Sequence, residues 1–305
     1  MTALLRAGLT LGPLLFHWSA ARRRDFYLRI ADEAPVDGVY LGEVVCSKRE
    51  STFAAHSDEV IRRLESAGKT VIRSTLALVT SAREIAAVRA AAAQGVLVEA
   101  NDVACLDALG GAPHIVGPYI NVVNEGTRDF LATRGAVRIV LPVELTARSI
   151  GILAASAGDT QIEVHAFGRQ PLSVAMRCYH ARSHQLSKDH CQLVCALDPD
   201  GLAAATLDGE EILAVNGTQT LTHGYAVVLE DLAGLQAAGV GHFRLSPHSI
   251  DMVRVARLYR DLLDLRVESA EVAAALQTMV GRPPLIDGFL RGRAGLSRSA
   301  SAAPP

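Results

Sequence analysis

Cysteine is scarce in this chain: five among 305 residues, three of them crowded between positions 178 and 195. That is too few and too uneven for a disulfide-dense secreted module or an evenly stapled sandwich, so the thiols are expected to stay reduced in the cytoplasm. Charge of one sign is also missing. Thirty Lys and Arg against 32 Asp and Glu leave a net charge of −2, which gives no overall field to draw the chain to nucleic acid or to an anionic membrane. Long apolar runs are absent as well. The most apolar segments, such as 70–79 with its Arg73, break off well short of the roughly 20 residues a membrane helix needs. Residues 9–16 have the hydrophobicity of a signal-peptide core, but Gly12 and Pro13 interrupt them and Arg22, Arg23 and Arg24 lie on the wrong side, so they read as a first strand. Neither G-x-G-x-x-G, G-x4-G-K-[ST], H-E-x-x-H nor G-x-S-x-G occurs, which removes the common nucleotide, zinc-protease and serine-hydrolase signatures. The tight C-x3-C-x2-C run of a radical-SAM cluster is missing too.

What is present is a recurrence of short Val/Ile/Leu runs separated by Ala-rich stretches of helical period, the mark of βα units in a parallel sheet. Eight runs qualify: 9–16, 36–41, 70–75, 96–99, 113–117, 138–141, 161–165 and 242–245. Between them, 58–67 places Val60, Ile61 and Leu64 on one helical face, and 81–94 has Ser81 as N-cap and Gly95 as stop. Eight such units predict an α/β fold, a TIM-type (β/α)8 barrel-like domain over 1–290. The connection 168–241 is too long for a barrel loop and holds its own strand-like run at 212–219, so it reads as a cysteine-bearing insertion after the seventh strand. Residues 291–305 have little to bury and are expected to form a disordered tail.

Cys178, Cys191 and Cys195 make a C-x12-C-x3-C pattern in a polar segment where a core would not place three thiols. An iron-sulfur cluster needs four thiolates, and Cys46, just past the second strand, emerges on the same rim as the insertion. Cys105 shares a helical face with Val103, Leu106 and Leu109, behind Asn101 as a cap, and reads as a buried thiol. Zinc competes, since His180, His184 and His190 interleave with the cysteines, although only Cys191 and Cys195 have knuckle spacing. Reduced cysteines without metal are the remaining alternative.

The segments VYLGEVVCSKR at 39–49, STLALV at 74–79, LPVEL at 141–145 and the cysteine segment from Cys178, with NGTQT at 216–220 and RLSP at 244–247, resemble the collagenase-like peptidase family. Within it they are most similar to the branch that acts in oxygen-independent ubiquinone biosynthesis. The resemblance implies a barrel-like fold, a 4Fe-4S cluster, and a heterodimer with a UbiU-like protein. That heterodimer would hydroxylate the aromatic ring of polyprenylated ubiquinone precursors with prephenate as oxygen donor, and a lipid-carrier protein is a further partner compatible with such a substrate. It also matches Cys46, Cys178, Cys191 and Cys195 to the family's cluster ligands and leaves Cys105 without a counterpart. Alternatives are a non-catalytic partner subunit stabilised by cluster or zinc, or a tRNA-hydroxylating or protease-like relative.

Glu43, Glu99 and Glu144 fall at or beyond strand ends, where barrels collect catalytic groups; each could act as a general base or hold a cation such as Arg177 or Arg244, and each could equally be a structural ion-pair partner. Lys48, Arg49, Arg73, Arg177, Arg182 and Arg244 are the cations nearest the expected rim, candidates for holding a dicarboxylate. His165 ends a strand on that rim and could transfer a proton.

Overall fold

The computed structural model describes residues 6–298. Seven parallel strands, β1 (Gly8–Leu11), β2 (Gly38–Gly42), β3 (Thr70–Ser74), β4 (Val98–Ala100), β5 (His114–Val116), β6 (Ala136–Val140) and β7 (Gln161–Gly168), neighbour one another in sequence order. After the insertion strands β8 (Pro171–Val174), β9 (Leu202–Ala205), β10 (Glu211–Asn216) and β11 (Gln219–Thr222), and β12 (Tyr225–Val227), comes β13 (Val240–Leu245). It pairs in parallel with both β7 and β1 and closes the barrel. All eight expected barrel strands are present, and the fold is a TIM-type (β/α)8 barrel. Strand β12 runs antiparallel to the far end of β7 and holds the short β14 (Leu285–Ile286).

Helices α1 (Ala20–Glu33), α2 (Ala54–Ser66), α3 (Ala82–Ala92), α4 (Val103–Leu109), α5 (Glu125–Thr133) and α6 (Ala147–Ala155) follow the first six strands. The insertion carries α7 (Tyr179–Ser183), and α8 (Leu232–Ala237), α9 (Met252–Leu263) and α10 (Ser269–Val280) complete the chain. Most are started by a side chain that takes up an orphan N–H of the first turn. Ser19, Ser81, Asn124, Thr146 and Asp251 each accept from the backbone three residues on. Helix α4 is capped by Asp102 rather than Asn101. The Asn101 amide instead donates to the Thr75 carbonyl and to Glu99, binding β3's end to β4's.

The period-2 alternation of strands decides which residues meet the helices and which fill the barrel. Leu9, Leu11, Val39, Leu41, Ile162, Val164, Phe243 and Leu245 pack outward in the main core. Tyr40, Ile72, Ile115 and Val140 form a small separate cluster inside. The barrel interior is unusually charged, with Glu99 and Glu163 fully buried and Arg244 nearly so. Arg244 Nε lies 2.7 Å from Glu163 Oε1, its Nη1 2.7 Å from Glu99 Oε1, and its guanidinium stacks 3.9 Å over Tyr40. Arg138 adds 3.2 Å to Glu163 Oε2, and the Tyr40 hydroxyl donates to the same oxygen at 2.6 Å.

The insertion after β7 is a four-stranded antiparallel sheet, order β8-β11-β10-β9. The expected single run at 212–219 is a hairpin, because Gly217 at φ +69° turns β10 into β11 through Asn216 and Gln219. The expected tail divides. Arg291 is held by Asp231 at 2.8 Å and by Asp287 at 3.3 Å, while 299–305 lie outside the described residues. No helix among the described residues is long and apolar enough to cross a membrane.

Candidate metal centre

Because β2 and β7 run parallel, their carboxyl ends open on one rim, and the loop after β2 meets the insertion after β7 there. Cys46, Cys178, Cys191 and Cys195 line one small cavity between them, with Arg49, Lys188, Leu193, Val194 and Gly217 completing its wall. Cys105 stands apart on α4, fully buried with Val88, Val98, Ala100 and Leu109.

The Cys46 loop is organised from below by Glu43, whose Oε1 accepts from the N–H groups of Val45 and Cys46, both at 3.0 Å. That buried carboxylate thus shapes a loop. Arg49, 1% exposed, reaches across: Nη1 donates to the Leu15 carbonyl at 3.1 Å and Nη2 to Asn216 Oδ1 at 2.7 Å. Asn216 Nδ2 in turn donates to the carbonyls of Cys195 at 3.1 Å and Asp198 at 2.9 Å. Thr218 Oγ1 donates to the Val45 carbonyl at 2.8 Å, and Lys48 Nζ to that of Lys188 at 2.6 Å. Buried polar bridges of this kind lock two distant segments together. Asn216, Thr218 and Gln219 escaped the reading of individual residues; their only trace there was the NGTQT segment.

Burial raises the pKa of Cys46 and of Cys195, and the Arg49 guanidinium opposes this for both, through a side-chain hydrogen bond in the case of Cys195. The Cys178 thiol caps α7, accepting from the Ala181 N–H at 3.3 Å.

Among the described residues, the one group of three or more ligating atoms within 4.8 Å of one another is His180, His184 and Asp198. The four thiols line one cavity but do not form such a group. His180, His184 and His190 are not among the residues that line the thiol cavity. A thiolate-held cluster is an anion, and the buried Arg49 with Lys188 on the cavity wall supplies the opposite charge.

Next to the cavity lies the barrel mouth, a pocket lined by Glu99, Asn101, Tyr119, His165, Arg244 and Ser246 among others. Arg244 Nη2 and the Tyr119 hydroxyl are buried there without a hydrogen-bond partner. Burial pushes the pKa of His165 down to about 4, against the Gly168 carbonyl that its Nε2 meets at 3.2 Å. The ring is thus neutral near pH 7, with Nδ1 as its free acceptor. Glu144 is exposed on a shallow pocket beside Tyr119, and Arg177 and Arg182 are exposed. Arg73 points to the outer face of β3, 3.7 Å from Glu50, and so is no rim cation.

Gly217 tests the architecture. A β-carbon there would run into Arg49 Nη2, and the positive φ already disfavours one. Gly217→Ala should displace Arg49 and lower whatever metal the four thiols hold at least about twofold per chain while far-UV circular dichroism stays unchanged; full retention of that metal would show that the Arg49 bridge is dispensable.

Two solved structures show a remote likeness to this chain. A chain of the tryptophan synthase complex from Pyrococcus furiosus is 9% identical with a TM-score of 0.42, over 89% of this chain and 99% of that one. The cycloalternan-degrading enzyme from Trueperella pyogenes is 12% identical with a TM-score of 0.25, over 93% of this chain and 52% of that one. The sequence match is decisive instead: the model of peptidase family U32 covers residues 27–299. This chain, with its cysteine-bearing insertion, belongs to peptidase family U32, the collagenase-like peptidases.

Proposed function

We propose that this chain is a UbiV-like, cytoplasmic iron-sulfur subunit of an oxygen-independent hydroxylase that acts on the aromatic ring of ubiquinone precursors, paired with a UbiU-like subunit and using prephenate as oxygen donor. The observation that carries the reading is the convergence of Cys46 with Cys178, Cys191 and Cys195 round one cavity beside the barrel mouth. These four thiolates would hold a 4Fe-4S cluster, which when bound supplies one-electron redox chemistry at the rim. The chain's own residues do the rest. Arg244 Nη2 and the Tyr119 hydroxyl present buried, unused donors to a carboxylate or carbonyl oxygen. Tyr119 keeps its proton, since burial raises its pKa. His165 Nδ1 presents a neutral hydrogen-bond acceptor at the same mouth.

The test is anaerobic co-expression with a UbiU-like partner, followed by iron and sulfide analysis and by turnover of a polyprenylated precursor with prephenate. We expect a heterodimer, about four iron and four sulfide on this chain, and loss of turnover in Cys195→Ala with the heterodimer intact. Unchanged turnover in that variant would make the chain a non-catalytic partner. A colourless protein with stoichiometric zinc on the thiols would overturn the cluster itself.

A further inference from the structure

Behind the thiol cavity, three side chains form a constellation the cluster does not use. We infer that His180, His184 and Asp198 make a second, separate site for a divalent cation of the zinc type. The ligating atoms of the three lie within 4.8 Å of one another. His180 is fully buried, and its ring is fixed by Nδ1 at 3.1 Å from the Val215 carbonyl. A carbonyl only accepts, so Nδ1 carries the hydrogen and Nε2 presents its lone pair. That Nε2 has no hydrogen-bond partner, yet it sits 3.0 Å from Asp198 Oδ2. With the ring neutral, two acceptors face each other, an arrangement that a cation bound to both satisfies.

The third ligand is already alongside. The His184 ring stacks on His180 with centroids 5.5 Å apart and planes inclined by 12°, one helical turn on, so both imidazoles offer nitrogen on the same side. Donors around one zinc stand roughly 3.4 Å apart, given Zn–N and Zn–O of about 2.0–2.2 Å. Rotation of the exposed His184 closes the difference. Asp198 is held for the purpose: its carbonyl accepts from Asn216 Nδ2 at 2.9 Å and from the Gly201 N–H at 3.0 Å. Two imidazoles and a carboxylate leave a fourth position to water, a donor set that suits Zn2+. Such an ion would tie α7, which starts at Cys178, to the segment that follows Cys195. It would therefore pin both ends of the cysteine segment without touching a thiol, and its existence does not depend on which group the thiols hold.

The experiment uses the full chain prepared anaerobically, titrated with Zn2+ and, as a spectroscopic probe, Co2+. We expect one Zn2+ per chain in addition to the iron, and a Co2+ spectrum with ligand-field bands but without thiolate charge transfer. His184→Ala, which alters an exposed side chain, and Asp198→Asn should each weaken Zn2+ binding at least about a hundredfold while iron and sulfide stay at the wild-type level. The proposal fails if wild-type chain takes up no Zn2+ at micromolar concentration, or if both variants retain it. It fails equally if the Co2+ bands show thiolate charge transfer that disappears in Cys178→Ser, because the ion then sits on the thiols. Loss of iron in every preparation, with Zn2+ binding unchanged, would count against the cluster alone and leave this site standing.

Discussion

With the proposed cluster on its thiols, replacing Cys46 by Ala should strip the chain of nearly all its iron, whereas replacing Cys105 by Ala should leave the iron in place. The two thiols differ in surroundings, not in chemistry. Cys46 faces the cavity shared with Cys178, Cys191 and Cys195, on a loop held by Glu43 and Thr218. A cluster iron that loses this thiolate finds no other cysteine among the cavity-lining residues. Cys105 is enclosed by Val88, Val98, Ala100 and Leu109 on the far side of β4. Its removal deletes one small buried group, a cost on the order of 1 kcal/mol, and the cavity does not feel it. Iron and acid-labile sulfide, measured with the absorption spectrum on anaerobic preparations of both variants, decide the matter. Retention of all iron in Cys46→Ala together with loss in Cys105→Ala would mean that the fourth ligand is misassigned.

The contrast between these two cysteines was legible in the sequence because it rests on local pattern. Cys105 lies on a helical face, and Cys46 follows a strand whose carboxyl end must open on the rim. The eight barrel strands were legible for the same reason, each being a short apolar run, and so was the place of the insertion. The misreadings are local competitions that propensity does not resolve. Asn101 and Asp102 are both good N-caps, and tertiary contacts with Thr75 and Glu99 drew Asn101 away from the helix. The run at 212–219 alternates well enough for one strand, and only the positive φ at Gly217 divides it.

What was not legible is the long-range polar work. Nothing near position 49 announces that Arg49 will reach Asn216, 167 residues later, and bind the two cysteine-bearing segments together. The same holds for Arg73, whose outward direction follows from strand register and not from its distance to the rim. Arg244 was expected to be held by a rim carboxylate, and Glu99 of β4 does hold it, whereas its second partner, Glu163 of β7, is visible only once the barrel closes.

That closure leads to the most destabilising substitution we expect outside the metal centre. Arg244→Met should lower the stability of the chain at pH 7 by about 3–5 kcal/mol, the usual cost of leaving a buried charge without its partner. Here it strands Glu99 and Glu163, both fully buried, with Arg138 left to serve Glu163 alone. The pH dependence supplies the signature of cause. In the wild type, Glu163 has its pKa lowered from 4.5 to about 2: burial pushes it up, but Arg244 first, then Arg138 and the Tyr40 hydroxyl, more than reverse that. A carboxylate whose folded pKa lies below its unfolded value contributes stability that is complete above about 4.5 and is lost as pH falls towards about 2. Without Arg244, burial dominates and the carboxyl pKa rises, so the slope reverses and the variant should gain stability relative to wild type as pH is lowered from 7 to 5. Adding Glu99→Gln and Glu163→Gln to Arg244→Met removes the stranded charges and should restore part of the loss at pH 7 while flattening the pH response. Denaturant midpoints of the three proteins at pH 5 and pH 7 measure this. An Arg244→Met protein as stable as wild type at pH 7, or one whose deficit is the same at both pH values, would mean that the guanidinium packs over Tyr40 without holding the Glu163 carboxylate in its charged state.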